Sequence, residues 1–461
     1  MTTQHDISSG DQNWLKANNG KHMLHSMQPQ ALLETAPPVI IKRGDGVYVT
    51  DIDGKRYLDC QGGLWCVNTG HGRKEINEAI TGQLEELAYY TTFPGSNHGP
   101  AIELSTRLCE VAGEENIKRV MFSSGGSDAV ESALKIARQY WKIEGQPERT
   151  KFLSLRNGYH GLHFGGMSAG GAIAWRRNYE PLLPGFFQVE SPHVYRSPLS
   201  QDPEELAGIC ALLMRREIEH QGPDTIAALI AEPVQGAGGV IVPHASYWPM
   251  LRAICDDYGI LMISDEVVTG LGRSGSLFGA RGWGVKPDMM TMAKGLTSGY
   301  VPLGATLIND RINTAFERAD SEFNVFMHGY TYSGHPVACA AGLASLDLTL
   351  REDLTGNAGA VGDYLIGRLR DELFDIETVG DIRGKGLMIA VELVKDRESH
   401  EAFGPTDSLP PDVSGRCLEA GVMVRTIVNK FIISPPLTFS TAHADELVSV
   451  LKDSLVAALN A

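Results

Sequence analysis

The sequence predicts an α/β protein of two lobes, and three observations carry that expectation. At 461 residues the chain exceeds the usual size of one domain, so more than one hydrophobic core is expected. From about Gly62 short apolar strands alternate with amphipathic helices, the pattern of a mostly parallel sheet covered on both faces. Three apolar runs, at 226–230, 260–263 and 289–292, are each followed two positions on by an ionisable residue: Glu232, Asp265 and Lys294. In an open α/β sheet the ligand crevice lies beyond the carboxyl ends of the strands, so these three are expected to meet in one pocket.

Each element follows from local chemistry. The leader at 1–20 is polar and lacks the basic-then-apolar order of a signal peptide. No apolar run approaches the ~20 residues of a membrane span, so the expectation is a cytoplasmic protein with no membrane partner. Residues 46–59 read as a hairpin, because Val47, Val49 and Tyr57 flank the turn pair Asp53-Gly54. Residues 127–141 place Val130, Leu134, Ala137 and Trp141 at helical spacing, directly after the run Ser123-Ser124-Gly125-Gly126. Beyond about Ala338, a helical stripe (Val361, Leu365, Leu369) and a last helix (Leu447, Leu451, Leu455) bracket short strands, which suggests an α+β lobe.

Composition excludes several function classes. Hydrophobic residues at 43% and charged residues at 21% suit a globular chain without long disorder. The net charge of −16 opposes a polyanionic partner, so no nucleic acid is expected. The seven cysteines are scattered and lack CxxC spacing, which suits reduced thiols and predicts neither disulfides nor a metal site.

A small-residue loop opening into a helix offers unpaired N–H groups and the positive end of a helix dipole. Gly125, Gly126 and Ser127 therefore suit a phosphate, and equally suit a plain turn with an N-cap. The spacing is neither that of a Rossmann fingerprint nor that of a P-loop, which argues against a nucleotide-dependent dehydrogenase. Asp265-Glu266 is compatible with paired acids, metal ligands, a partner for a buried cation, or a helix cap. Lys294 interrupts an apolar stretch, where a lysine must find a partner or lose its charge. A neutral amine is a nucleophile that attacks aldehydes.

Seven segments in order turn these separate readings into one. They are Gly62-Gly63-Leu64-Trp65-Cys66, the run SGGSDAVE at 124–131, Tyr159-His160-Gly161, Glu232-Pro233-Val234-Gln235-Gly236, Ser264-Asp265-Glu266-Val267, Ala293-Lys294-Gly295 and Thr331-Tyr332-Ser333-Gly334-His335-Pro336. Along nearly its whole length the chain resembles the class III, or omega, aminotransferases of pyridoxal-phosphate fold type I. That resemblance implies a large cofactor-binding lobe at 62–337 with a seven-stranded sheet. It also implies a small lobe at 338–461, joined by the N-terminal segment 1–61.

The resemblance further implies that Lys294 holds pyridoxal phosphate as a Schiff base and, once released, shuttles the proton between the substrate α-carbon and the cofactor C4′. Asp265 would pair with the pyridine nitrogen; Tyr159 and Val267 would pack on opposite faces of the ring. Gly125, Gly126 and Ser127 would bind the phosphate together with Thr331 of a neighbouring subunit. That sharing implies a homodimer with sites at the interface, or a tetramer. Glu232 would modulate the charge near the ring, and His160 is either a donor there or a structural histidine.

For substrates, the resemblance is to the omega-amino acid and amine:pyruvate branch. Trp65 matches its pocket tryptophan, Phe93 is a second wall, and Tyr159 borders the substrate. Arg425, ten positions before Pro435, matches the arginine that swings in to bind a carboxylate. The chain then reads Thr426-Ile427-Val428-Asn429 where many relatives have a glycine, so a different local loop is expected. The expected reaction moves an amino group from an amine or omega-amino acid to a 2-oxo acid, foremost pyruvate, giving alanine by a ping-pong route. Rival readings are a relative using 2-oxoglutarate, a decarboxylase, an aminomutase and a catalytically silent scaffold.

Overall fold

The computed structural model describes residues 12–33, 35–319 and 325–461, so the first eleven residues of the polar leader lie outside it. A seven-stranded sheet forms the centre. Its spatial order is Ile117–Ser123, Gly304–Asn309, Met289–Met292, Leu261–Asp265, Ile226–Ala231, Lys151–Leu155 and Phe186–Val189. Strand Gly304–Asn309 runs antiparallel to both of its neighbours and the remaining pairs are parallel. This is the mostly parallel seven-stranded sheet expected from the sequence. Its middle strands are buried on both faces, which is why all six residues of Ile226–Ala231 are buried and apolar.

Helix Gly126–Ile143 lies against this sheet with Val130, Leu134, Ala137 and Trp141 among its buried residues. The Trp141 indole donates 2.8 Å to the Ala227 carbonyl, so its polar edge is satisfied inside the core. Helices Pro203–Gln221 and Tyr247–Tyr258 close a second apolar layer around Trp248, Leu251 and Met214.

The hairpin read at 46–59 belongs to a larger unit. Tyr48–Asp51 pairs with Arg56–Asp59 across the turn containing Gly54 (φ +88°), and Ile41–Asp45 adds a strand before it. Arg56–Asp59 then pairs in parallel with Val422–Met423, more than 360 positions away in sequence. Periodicity reports only local pattern, so that partner was not legible. A separate sheet runs Val379–Gly384, Ile389–Asp396, Lys430–Ile433, Arg425–Ile427, with Glu401–Ala402 added to the long strand. Helices Leu354–Leu373 and Thr441–Leu459 cover it, and their stripes Val361, Leu365, Leu369 and Leu447, Leu451, Leu455 share one core with Leu58, Phe431 and Phe439. Ser440 and His443 form a capping box at the start of the last helix.

All seven cysteines are free thiols, five of them buried. Among the described residues no helix is long and apolar enough to cross a membrane, and no cluster of side chains is suited to a metal ion.

Candidate active site

Topology gathers the site. Tyr159, Glu232, Asp265 and Lys294 follow or end the strands Lys151–Leu155, Ile226–Ala231, Leu261–Asp265 and Met289–Met292, four parallel neighbours in the sheet. Strand Ile117–Ser123 delivers Ser124, Gly125 and Gly126 at the same edge. A cavity of about 370 Å³ opens there, within the range of small-ligand sites. Gly125, Gly126, Ser127, Tyr159, His160, Glu232, Asp265, Val267 and Lys294 all line it. So do Cys66, from the first of the seven segments, and Val268 and Leu303, which no motif reading had singled out.

One end is the start of helix Gly126–Ile143, where first-turn N–H groups have no intrahelical acceptor. Gly126 is needed for close packing, because a Cβ there would sit 2.9 Å from Val267 Cγ1. Ser127 Oγ accepts from the Leu162 N–H at 3.2 Å, tying the helix start to the Tyr159-His160 loop.

The other end is the buried carboxylate of Asp265. Its Oδ2 lies 2.7 Å from His160 Nδ1, and its Oδ1 accepts from Thr291 Oγ1 at 3.0 Å and from the Val267 N–H at 3.2 Å. Burial would depress the His160 pKa, but the hydrogen bond to Asp265 and the charges of Asp265 and Glu232 raise it above the ordinary histidine value. Its Nε2 is buried and unpartnered. Glu232 accepts from the Tyr159 and Gly236 N–H groups at 2.8 and 2.9 Å. Burial pushes its pKa up to about 7, with His160 pulling down and Asp265 pushing further up. Its neighbour in the Asp265-Glu266 pair, Glu266, points elsewhere and accepts from Ser264, Thr269, Gly279 and Ala280. The pair is therefore not one paired-acid site.

Lys294 is held with φ at +46°, a backbone region that L side chains seldom adopt and that recurs at functional sites. Burial lowers its pKa below the ordinary lysine value; Cys66, Asp265 and Glu232 oppose that, and Arg425 assists it. More of its amine is thus neutral near physiological pH than in water.

The remaining predicted residues do not line this cavity within one chain. Trp65 is buried in a cluster with Val234, Val240, Met388 and Ile432. Phe93 is exposed and borders a different cavity of about 1180 Å³, together with Phe326 and Met327. Thr331 is exposed, and its carbonyl accepts from Tyr89 Oη. Arg425 stands close enough for its charge to act on both Tyr159 and Lys294, and burial lowers its own pKa. Sequence reading missed Thr291, whose strand position gave no sign of a polar task, and Trp175, whose ring meets Tyr159 edge-on at 4.9 Å.

Comparison with known proteins agrees with this geometry. The family model described as aminotransferase class-III matches residues 30–455. An amine transaminase from an uncultivated Pseudomonas species, solved in a PLP-bound form, superposes with a TM-score of 0.93 at 51% identity, covering 95% of this chain and 99% of that one. Among curated relatives, a diaminobutyrate–2-oxoglutarate transaminase of Halomonas elongata is 39% identical over 90% of this chain and 89% of its own length. A putrescine–pyruvate aminotransferase of Pseudomonas aeruginosa is 38% identical over 90% of each.

Proposed function

We propose, given that this chain belongs to the class III aminotransferase family and is a pyridoxal-phosphate-dependent enzyme, that it transfers an amino group from an amine or omega-amino acid to pyruvate. The donor set suits that cofactor. Unpaired N–H groups at a helix start suit a phosphate, a buried carboxylate suits a protonated ring nitrogen, and a lysine with lowered pKa suits an aldehyde. When bound, pyridoxal phosphate supplies an aldehyde that takes up nitrogen and a ring that accepts the electron pair left by bond cleavage.

The chain's own residues do the rest in this reading. Gly125, Gly126 and Ser127 would hold the phosphate, and Tyr159 and Val267, which line the same cavity, would flank the ring. Asp265, fixed by His160, Thr291 and the Val267 N–H, would pair with the ring nitrogen. Lys294, which lines the cavity with a lowered pKa, would hold the cofactor through its amine and, when free, would move the proton at the substrate α-carbon. Glu232 steadies the Tyr159 backbone.

Arg425 is the single observation that carries the choice of acceptor. Its charge reaches Tyr159 and Lys294, and it has no carboxylate within ion-pair distance among the described residues. A partly buried guanidinium without a counter-charge is a ready partner for a substrate carboxylate. Pyruvate, the acceptor named for one relative, is preferred in this reading over the 2-oxoglutarate named for another. Replacing Arg425 with Ala should raise the KM for pyruvate by about tenfold or more while the half-reaction with 1-phenylethylamine keeps its rate. Equal losses in both halves would remove the arginine from this role, and faster turnover with 2-oxoglutarate than pyruvate would transfer the assignment to that acceptor.

The same reading makes the enzyme a cytoplasmic homodimer, in which Thr331 of one protomer completes the phosphate site of the other. Exposed Phe93, Met327 and Tyr332 provide the apolar surface for such a contact. It also divides the chain at about residues 61 and 337. Parallel pairing of Arg56–Asp59 with Val422–Met423 supports joining the N-terminal segment to the C-terminal unit.

A further inference from the structure

Arg425 lies on a tight hairpin. Arg425–Ile427 pairs antiparallel with Lys430–Ile433, Ile427 opposite Lys430, leaving Val428 and Asn429 as a two-residue turn. Val428 takes φ +55°, the left-handed conformation such turns demand. The chain meets this demand without glycine, so its turn needs another means of support. That support is Asn429, which is buried and whose amide donates to the Leu393 carbonyl at 2.7 Å and to Glu392 at 3.4 Å. Lys430 donates back to Asn429 Oδ1 at 2.9 Å.

Glu392 is the fixed point behind the turn. It is fully buried in strand Ile389–Asp396 and stands opposite Lys430 in the ladder. Arg196 reaches it at 2.6 Å and Arg383 at 2.7 Å, with the Lys430 ammonium at 3.7 Å. Burial alone would raise its pKa, but Arg383, Lys430 and Arg196 hold it at about 2, so it keeps its charge. One of these partners leads toward the cofactor cavity. Arg383 also donates to the carbonyls of Gly239 and Val240, in the loop whose Gly236 N–H binds Glu232. A continuous set of hydrogen bonds and ion pairs thus runs from the Glu232 loop through Arg383 and Glu392 to the turn that carries Arg425.

We propose that Glu392 is a positioning residue for acceptor specificity: through Asn429 it sets the place of the Arg425 hairpin relative to the cavity. This rests on the reading of Arg425 as the acceptor's carboxylate partner. A buried carboxylate serving stability alone would affect both half-reactions through the amount of folded enzyme. A positioning role instead separates them.

The test uses the holoenzyme. Glu392→Gln and Asn429→Ala are each assayed for the KM of pyruvate and for the rate of cofactor bleaching by 1-phenylethylamine. The expected result is a rise of roughly tenfold in KM for pyruvate, the scale of coupling within one contact network, with the amine half-reaction unchanged. Asn429→Ala leaves every ion pair of Glu392 in place and decides the matter if Glu392→Gln fails to fold. Unchanged KM for pyruvate, or equal losses in both halves, overturns the proposal. Arg425→Ala separates the two levels: if it discriminates between the halves and Asn429→Ala does not, the positioning role alone falls. If Arg425→Ala does not discriminate, the acceptor reading falls first and takes this one with it.

Discussion

His160 Nδ1 lies 2.7 Å from Asp265 Oδ2, and both side chains are buried. Asp265 is thereby tied to the loop that carries Tyr159, so the two residues proposed to meet the ring nitrogen and the ring face are set by one contact. Asp265→Asn keeps the shape but removes the charge. It should lower turnover roughly a hundredfold or more, the scale seen when one well-placed electrostatic partner is lost, while cofactor-free folding stays intact. Steady-state rates and circular dichroism check it, and near-normal turnover would contradict the role given to Asp265.

In the proposed mechanism Lys294→Ala removes both the anchor and the proton carrier. Steady-state transamination should fall by more than about a thousandfold, with the protein still folded because the side chain projects into a cavity rather than into packing. Normal turnover in that variant would end the mechanism proposed here.

Glu232 and His160 make stability depend on pH in one direction. Glu232 titrates at about 7 in the fold, above its ordinary value of 4.5, and His160 is also raised above 6.5. A raised pKa means that the folded state binds the proton more tightly than the unfolded state. The contribution of Glu232 is complete below about pH 4.5 and is lost as pH rises through about 7; that of His160 is complete below 6.5 and lost above. The thermal midpoint of cofactor-free protein should therefore lose these contributions between about pH 5 and pH 8, and Glu232→Gln should flatten that part of the profile. An unaltered profile in the variant would show that Glu232 is not the group responsible.

Trp65 packs against Val234, Val240, Met388 and Ile432 and is 3% exposed. Trp65→Ala should cost about 3–5 kcal/mol of stability, the usual penalty for emptying a buried aromatic site. Denaturant unfolding measures it. A cost below ~1 kcal/mol would show that the indole is not part of the core.

Much of the site was legible because α/β topology converts strand ends into a shared address. Glu232, Asp265 and Lys294 could be placed together from three apolar runs and the rule for open sheets. The glycine-rich helix start at Gly126 was legible from local chemistry. What stayed hidden depended on contacts between distant segments. Thr291 reaches Asp265 across neighbouring strands, Trp175 meets Tyr159 from a separate loop, and Glu392 joins residues 196, 383 and 430. None of these has a periodic or spacing signature. The Arg425 turn carries no glycine, and in the structure Asn429 supports it while Val428 takes the positive φ.

The most direct measurement is the visible absorption spectrum of the purified protein with pyridoxal phosphate, taken alone, after 1-phenylethylamine, and again after pyruvate. A yellow band that bleaches with the amine and returns with pyruvate is the expected result, since it reports both half-reactions in one cuvette. A band that neither amine nor pyruvate alters, or no band even with added cofactor, would contradict the account.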